Sequence, residues 1–117
     1  MAEKKTKKKI TSMDKPIIKV NNIKNGWFIG VVTYKKLNSE FQMKSFPKPS
    51  QFGINNGCIS KLWMKYRPTD SVIVNYERGW DIRPKTEYAK TVYRAILREF
   101  NKNMPERYVD RWMKSME

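Results

Sequence analysis

Histidine is missing from this 117-residue chain, and cysteine occurs once, at Cys58. Without histidine neither a Ser-His-Asp triad nor a Cys-His dyad can be assembled. A lone cysteine makes no internal disulfide and, with no histidine beside it, no structural zinc site. No G-x-x-x-x-G-K-[ST] loop occurs, and the isolated Gly53 and Gly57 do not form a dinucleotide fingerprint. No cofactor is therefore expected. Long apolar runs are lacking too: no h-region follows the charged residues that end at Lys9, and no segment approaches the ~18 apolar residues of a membrane span. These absences predict a soluble protein without integral membrane contact, with the cytoplasm as its compartment.

Acidic residues are scarce, and that scarcity is the chain's most informative property. Eleven Asp and Glu stand against 25 Lys and Arg, a formal charge of +14. A surface this one-sided attracts polyanions, so nucleic acid, a nucleoprotein or an anionic membrane suits it better than a neutral metabolite. Residues 1–24 carry +6, residues 25–84 carry +5 and residues 85–117 carry +3, so the body is basic without its N-terminal segment. Residues 1–15, with Lys4, Lys5, Lys7, Lys8 and Lys9 and almost no apolar content, read as a disordered basic arm. The arm either contacts phosphates or serves as a solubilising leader. Residues 16–117 read as a single domain, whose four Trp, six Tyr and five Phe supply a core despite a hydrophobic share of 39%.

Asn25-Gly26 predicts a type I′ hairpin between strands over 17–24 and 27–34. Asn38-Ser39 then turns the chain into a third strand over 40–44, where Phe41 and Met43 alternate with Gln42 and Lys44. Pro47 and Pro49 impose a loop. In 58–66, Leu62, Met64 and Tyr66 take one face while Lys61, Trp63 and Lys65 take the other. In 71–77, Val72, Val74 and Tyr76 share a face. Beyond Pro84 the period becomes helical, with Thr86 as cap and Tyr88, Val92, Ala95, Ile96 and Phe100 on one stripe. Asn103-Met104-Pro105-Glu106 reads as a capping-box-like start of a second helix, with Tyr108, Val109, Trp112 and Met116 at helical spacing. The expectation is an α+β domain: an antiparallel meander of about five strands followed by two C-terminal helices packed on one face.

A metal-dependent nuclease needs carboxylates and no histidine, which directs attention to Asp70, Glu77 and Asp81. Their spacing is poor for that chemistry: Asp70 sits in a Pro-Thr-Asp turn and Glu77 is followed directly by Arg78. The bland reading has Asp70 serving its turn and Asp81 pairing with a nearby arginine. No catalytic or metal-binding residue is assigned. Two stretches fit binding better. In Lys61-Leu62-Trp63-Met64-Lys65-Tyr66-Arg67, strand alternation projects two ammonium groups and an indole from one face, a platform suited to single-stranded nucleic acid. The alternative covers Trp63 with a helix, the lysine stems snorkelling around it. In Tyr76-Glu77-Arg78-Gly79-Trp80-Asp81-Ile82-Arg83, Arg78 and Arg83 can clamp phosphate around a stacking Trp80, or Trp80 plugs the junction between sheet and helices.

The segment Ser50-x-x-Gly53-Ile54-x-x-Gly57-x-Ile59-Ser60-Lys61-Leu62, together with Tyr76-x-Arg78-Gly79-Trp80-Asp81 and Gly26-Trp27-Phe28-x-Gly30, resembles an uncharacterised domain of small proteins of phages and other mobile elements of Gram-positive bacteria. Cys58 departs from the basic residue expected at its position. The resemblance implies a bacterial cytoplasm during phage expression and transfers no catalytic residue. Two functions stand side by side. One is a non-enzymatic module that binds nucleic acid or a nucleoprotein through phosphates. The other is a phage-encoded inhibitor, anti-CRISPR-like, that docks on a host defence protein.

Overall fold

In a computed structural model, which describes residues 15–117, Asn25 and Gly26 both adopt positive φ, 53° and 82°. Those angles suit a type I′ turn, and glycine takes the second without steric cost. The turn joins β1 (Ile17–Lys24) to β2 (Trp27–Tyr34), both as the sequence predicts. The lysines of the arm, Lys4 to Lys9, lie outside the described residues.

The next turn departs from expectation. It falls at Lys35-Lys36, with φ of 53° and 64°, and β3 (Leu37–Ser45) already contains Asn38 and Ser39. Register explains the shift: Tyr34 pairs with Leu37 and Thr33 with Asn38, and Thr33 Oγ1 donates to Asn38 Oδ1 over 2.7 Å. Asn38 thus clamps the strand pair rather than turning it. After the proline loop and a single 3-10 turn at Ile54–Asn56 come β4 (Ile59–Tyr66), β5 (Ser71–Glu77) and β6 (Trp80–Ile82). The sheet is a six-stranded antiparallel meander in chain order. The strand beyond the expected five is β6, three residues long, entered through Arg78 at φ 61°.

Helices α1 (Glu87–Phe100) and α2 (Glu106–Ser115) follow, and the chain is an α+β domain. Thr86 caps α1, its hydroxyl accepting from Ala89 N–H at 3.0 Å. The capping box expected for α2 does not form: Pro105 occupies the cap and no side chain accepts there. This helix is held from its other end instead. Asn25 N–H donates to Ser115 O and Gly26 N–H to Ser115 Oγ, tying α2 to the first hairpin.

The core lies between one sheet face and the helices. Phe28, Phe41, Met43, Leu62, Met64 and Val74 meet Val92, Ile96 and Phe100 of α1 with essentially no exposure. From α2, Tyr108 sets its ring edge-on to Phe28. A bulge in β5 corrects the simple alternation: Met64 pairs with Val74 but Lys65 pairs with Val72. The extra residue, Ile73, packs against the core, and Val72 shares a cross-strand position with a lysine. At the end of the sheet Asn101, the C-cap of α1, accepts from Ile59 N–H and donates to Ile54 O. Its side chain occupies the space beside Gly57, where a Cβ would approach it to 2.3 Å, so glycine is required there by close approach.

Candidate nucleic-acid interface

Because helices cover the face that carries Phe28, Met43 and Leu62, the alternate residues of the same strands form the other face, which no helix covers. Three rows cross it. Lys24, Trp27, Lys44, Lys61 and Glu77 make the first; Asn22, Ile29, Gln42, Trp63 and Asn75 the second; Lys19, Val31, Glu40 and Lys65 the third. Cations and indoles are therefore interleaved by register alone. Lys61, Trp63 and Lys65 lie on one face as the alternation predicts, and Trp63 is half-buried among its strand neighbours rather than under a helix.

At the hairpin end of this face stands Trp27, which the sequence did not single out as a contact. Lys44 Nζ and Lys61 Nζ stand 5.8 Å and 5.9 Å from its ring centroid, within cation–π range. A hollow of about 350 Å³ separates Trp27 from Trp63, with Gln42, Lys61, Asn75 and Glu77 among its lining. That volume is at the low end of small-ligand sites. Strand β2 is apolar on both sides, Trp27, Ile29 and Val31 alternating with Phe28 and Val32, so hydropathy could not tell which side was wet. Pairing of Trp27 with Lys44, and of Lys44 with Lys61, supplies the missing signal.

Charge is distributed unequally along the face. At the end carrying Tyr66, Lys65 pairs with Asp70 at 3.5 Å and Arg67 Nε donates to Glu40 at 3.0 Å. At the end carrying Trp27, Lys61 reaches Glu77 at 3.3 Å, while Lys44 and Arg78 have no carboxylate within salt-bridge distance among the described residues. Exposed pairs of this kind contribute little to stability, roughly 0–1 kcal/mol, and exchange readily for other partners. A second hollow, of about 230 Å³, opens beside the first and shares Lys61 with it; Lys44, Phe46, Ser50, Phe52, Ser60 and Arg78 complete its walls.

Trp80 and Arg83 sit elsewhere. Trp80 pairs with Tyr76 on the helix side of the sheet and meets the Tyr76 and Tyr93 rings edge-on at 5.1 Å and 5.5 Å. It plugs the sheet–helix junction, with the Arg83 guanidinium over its ring at 5.1 Å. Arg83 shares a separate hollow with Lys90 and Arg94 of α1. The carboxylates considered for metal chemistry do not converge: Asp70 holds Lys65, Glu77 holds Lys61, and Asp81 accepts from Asn75 rather than pairing with an arginine. Among the described residues no three His, Cys, Asp or Glu side chains are grouped, and no helix is long and apolar enough to cross a membrane. Cys58 is buried with its thiol toward Lys102 O, and burial pushes that thiol up from its ordinary pKa.

No curated protein and no solved structure matches the chain. Residues 26–101 match the model of a protein family described as a domain of unknown function. The matched span runs from the hairpin turn at Gly26 to the Asn101 clamp and includes Trp27, Lys44, Lys61, Trp63 and Arg78. It covers more than half of the chain, which therefore belongs to that family, DUF7678.

Proposed function

We propose that this protein is a small non-enzymatic binding module that takes single-stranded nucleic acid across its open sheet face. Bases lie against Trp27 and Trp63, and phosphates are held by Lys24, Lys44, Lys61 and Lys65, with Arg78 at the margin. The observation that carries this reading is the approach of two ammonium groups, Lys44 and Lys61, to the ring of Trp27, with a second indole across a hollow on the same uncovered face. A base has an apolar π-face and its phosphate an anionic flank, so a surface alternating indole and ammonium matches the repeat of a single strand. A flat duplex offers no unstacked bases to the indoles. The charge of the described residues, 20 Lys and Arg against nine Asp and Glu, provides the long-range attraction. In this reading the protein acts in a bacterial cytoplasm, which the resemblance to a domain of phages and mobile elements supports.

Fluorescence anisotropy with labelled single-stranded DNA, single-stranded RNA and duplex, across a salt series, tests the reading. Single strands should bind more tightly than duplex. The log-log salt slope should be roughly −3 to −4 if four to six phosphates are neutralised, at about 0.7 per phosphate for single strands. Failure to bind any strand at about 50 mM salt, or a duplex preference throughout, would defeat it. A salt-insensitive complex with one host defence protein, in the absence of strand binding, would instead favour the inhibitor reading.

A further inference from the structure

We infer that the hollow beside the Trp27 face is a binding site for the terminal phosphate of the strand, so that the protein reads a phosphorylated end. The inference rests on the single-strand reading above. Three cations, Lys44, Lys61 and Arg78, line this hollow, and one carboxylate, Glu77, reaches one of them. The balance is two positive charges. An internal phosphodiester carries one negative charge, whereas a terminal phosphomonoester carries between 1.5 and 2 near neutral pH, by the ~6 second pKa of phosphate. The charge of the hollow therefore matches a chain end better than a chain interior.

Its shape agrees. Lys61 is common to this hollow and to the one between Trp27 and Trp63, so a base seated on the indoles has its terminal phosphate within the reach of the same side chain. Phe46 and Phe52 add two rings to its wall. Phe46 is fixed edge-on against Trp112 of α2. Phe52 is anchored through its carbonyl, which accepts from Tyr76 Oη at 3.1 Å, and carries the Arg78 guanidinium 5.9 Å from its ring centroid. Arg78 is thus positioned over an aromatic, its backbone held by a bond from its N–H to Ser60 O. Ser50 Oγ accepts from Phe52 N–H and keeps its own proton to donate.

The experiment compares short single strands that differ only at one end: 5′-phosphate against 5′-hydroxyl with the dye at the 3′ end, and 3′-phosphate against 3′-hydroxyl with the dye at the 5′ end. One phosphorylated end should bind at least about tenfold more tightly than its hydroxyl counterpart at pH 7.5. The advantage should shrink toward pH 5.5 as the monoester takes up its second proton, at a pKa of about 6. The chain has no histidine to mimic that change. Arg78→Gln should erase most of the advantage, weakening the phosphate-ended strand at least about fivefold more than the hydroxyl-ended one, whereas Lys44→Gln, which also removes a contact of the open face, should weaken both strands. If neither terminal phosphate changes affinity by more than about twofold while hydroxyl-ended strands still bind, the end-reading site is refuted and the sheet-face reading survives. If Arg78→Gln weakens all strands equally, Arg78 is a general contact and the end-reading site is refuted likewise. If no strand binds, both fall.

Discussion

Replacing Trp63 by alanine separates the binding face from the core more cleanly than any other single change. Trp63 projects from the middle of β4 on the side away from both helices, in register with Gln42 and Asn75. Its loss uncovers strand surface but opens no cavity, and the expected cost to folding is below about 1 kcal/mol. Loss of one stacked base costs roughly 1–3 kcal/mol of affinity, which is about 5- to 150-fold in Kd at 1.4 kcal/mol per decade. Trp80→Ala should do the reverse. That indole meets two tyrosine rings and an arginine at the sheet–helix junction. Removing a half-buried indole with two edge-on partners costs about 2–4 kcal/mol of stability, with Kd nearly unchanged wherever the protein remains folded. Urea midpoints and anisotropy titrations on both variants give the four numbers required. Trp63→Ala binding as the parent does, or Trp63→Ala losing as much stability as Trp80→Ala, would refute the assignment of faces.

Three further outcomes follow from particular contacts. Asn101→Ala leaves Ile59 N–H and Ile54 O without their side-chain partner. Ile54 O still accepts from Gly57 N–H, so stability to urea should fall by about 1–3 kcal/mol, the cost of the one donor left unpaired, and a change under ~0.5 kcal/mol would show the clamp to be ornamental. Cys58, buried and with its thiol pKa raised, should react with a thiol reagent in the native protein orders of magnitude more slowly than in urea; prompt native labelling would contradict that burial. Burial, assisted by nearby Tyr76 and opposed by Arg83, raises the pKa of Tyr93. The folded state therefore holds that proton more tightly than the unfolded chain. The resulting stability is complete below the ordinary tyrosine value of about 10 and is lost as pH rises through the higher folded value. Tyr93→Phe should flatten the alkaline fall in urea midpoint above pH ~10, judged against the parent so that relief of lysine repulsion cancels. An unchanged alkaline slope would remove Tyr93 from the account.

Much of the fold was legible because local chemistry and tertiary need agreed. Asn25-Gly26 is the dipeptide a type I′ turn favours, and the clean alternation in 59–66 survives because β4 is central and paired on both sides. Thr86 capped α1 because a hydroxyl at that position satisfies a backbone donor whatever the rest of the chain does. Where local signals misled, a longer-range contact had won. Lysines carry the turn at 35–36 because Asn38 is worth more as the partner of Thr33 than as a turn residue. A bulge set Ile73 against the core in place of Val72. Strand β6 was hidden by its length. On the candidate interface, Lys61, Trp63 and Lys65 could be read from period two alone. Trp27 and Lys44 could not, since only strand register brings them beside Lys61. Trp80 and Arg83 share charge and aromaticity with that surface but belong to the opposite side of the sheet.

The four tryptophans provide the most direct test of where nucleic acid lies. Trp27 and Trp63 stand on the open face, while Trp80 and Trp112 pack on the helix side. In a nitrogen-15 labelled sample each indole Nε1–H gives its own signal, which single-residue substitution assigns. Titration with a short single strand should move the Trp27 and Trp63 signals and leave those of Trp80 and Trp112 in place. Movement of Trp80 or Trp112 while Trp27 and Trp63 stay still would contradict the open sheet face as the binding surface.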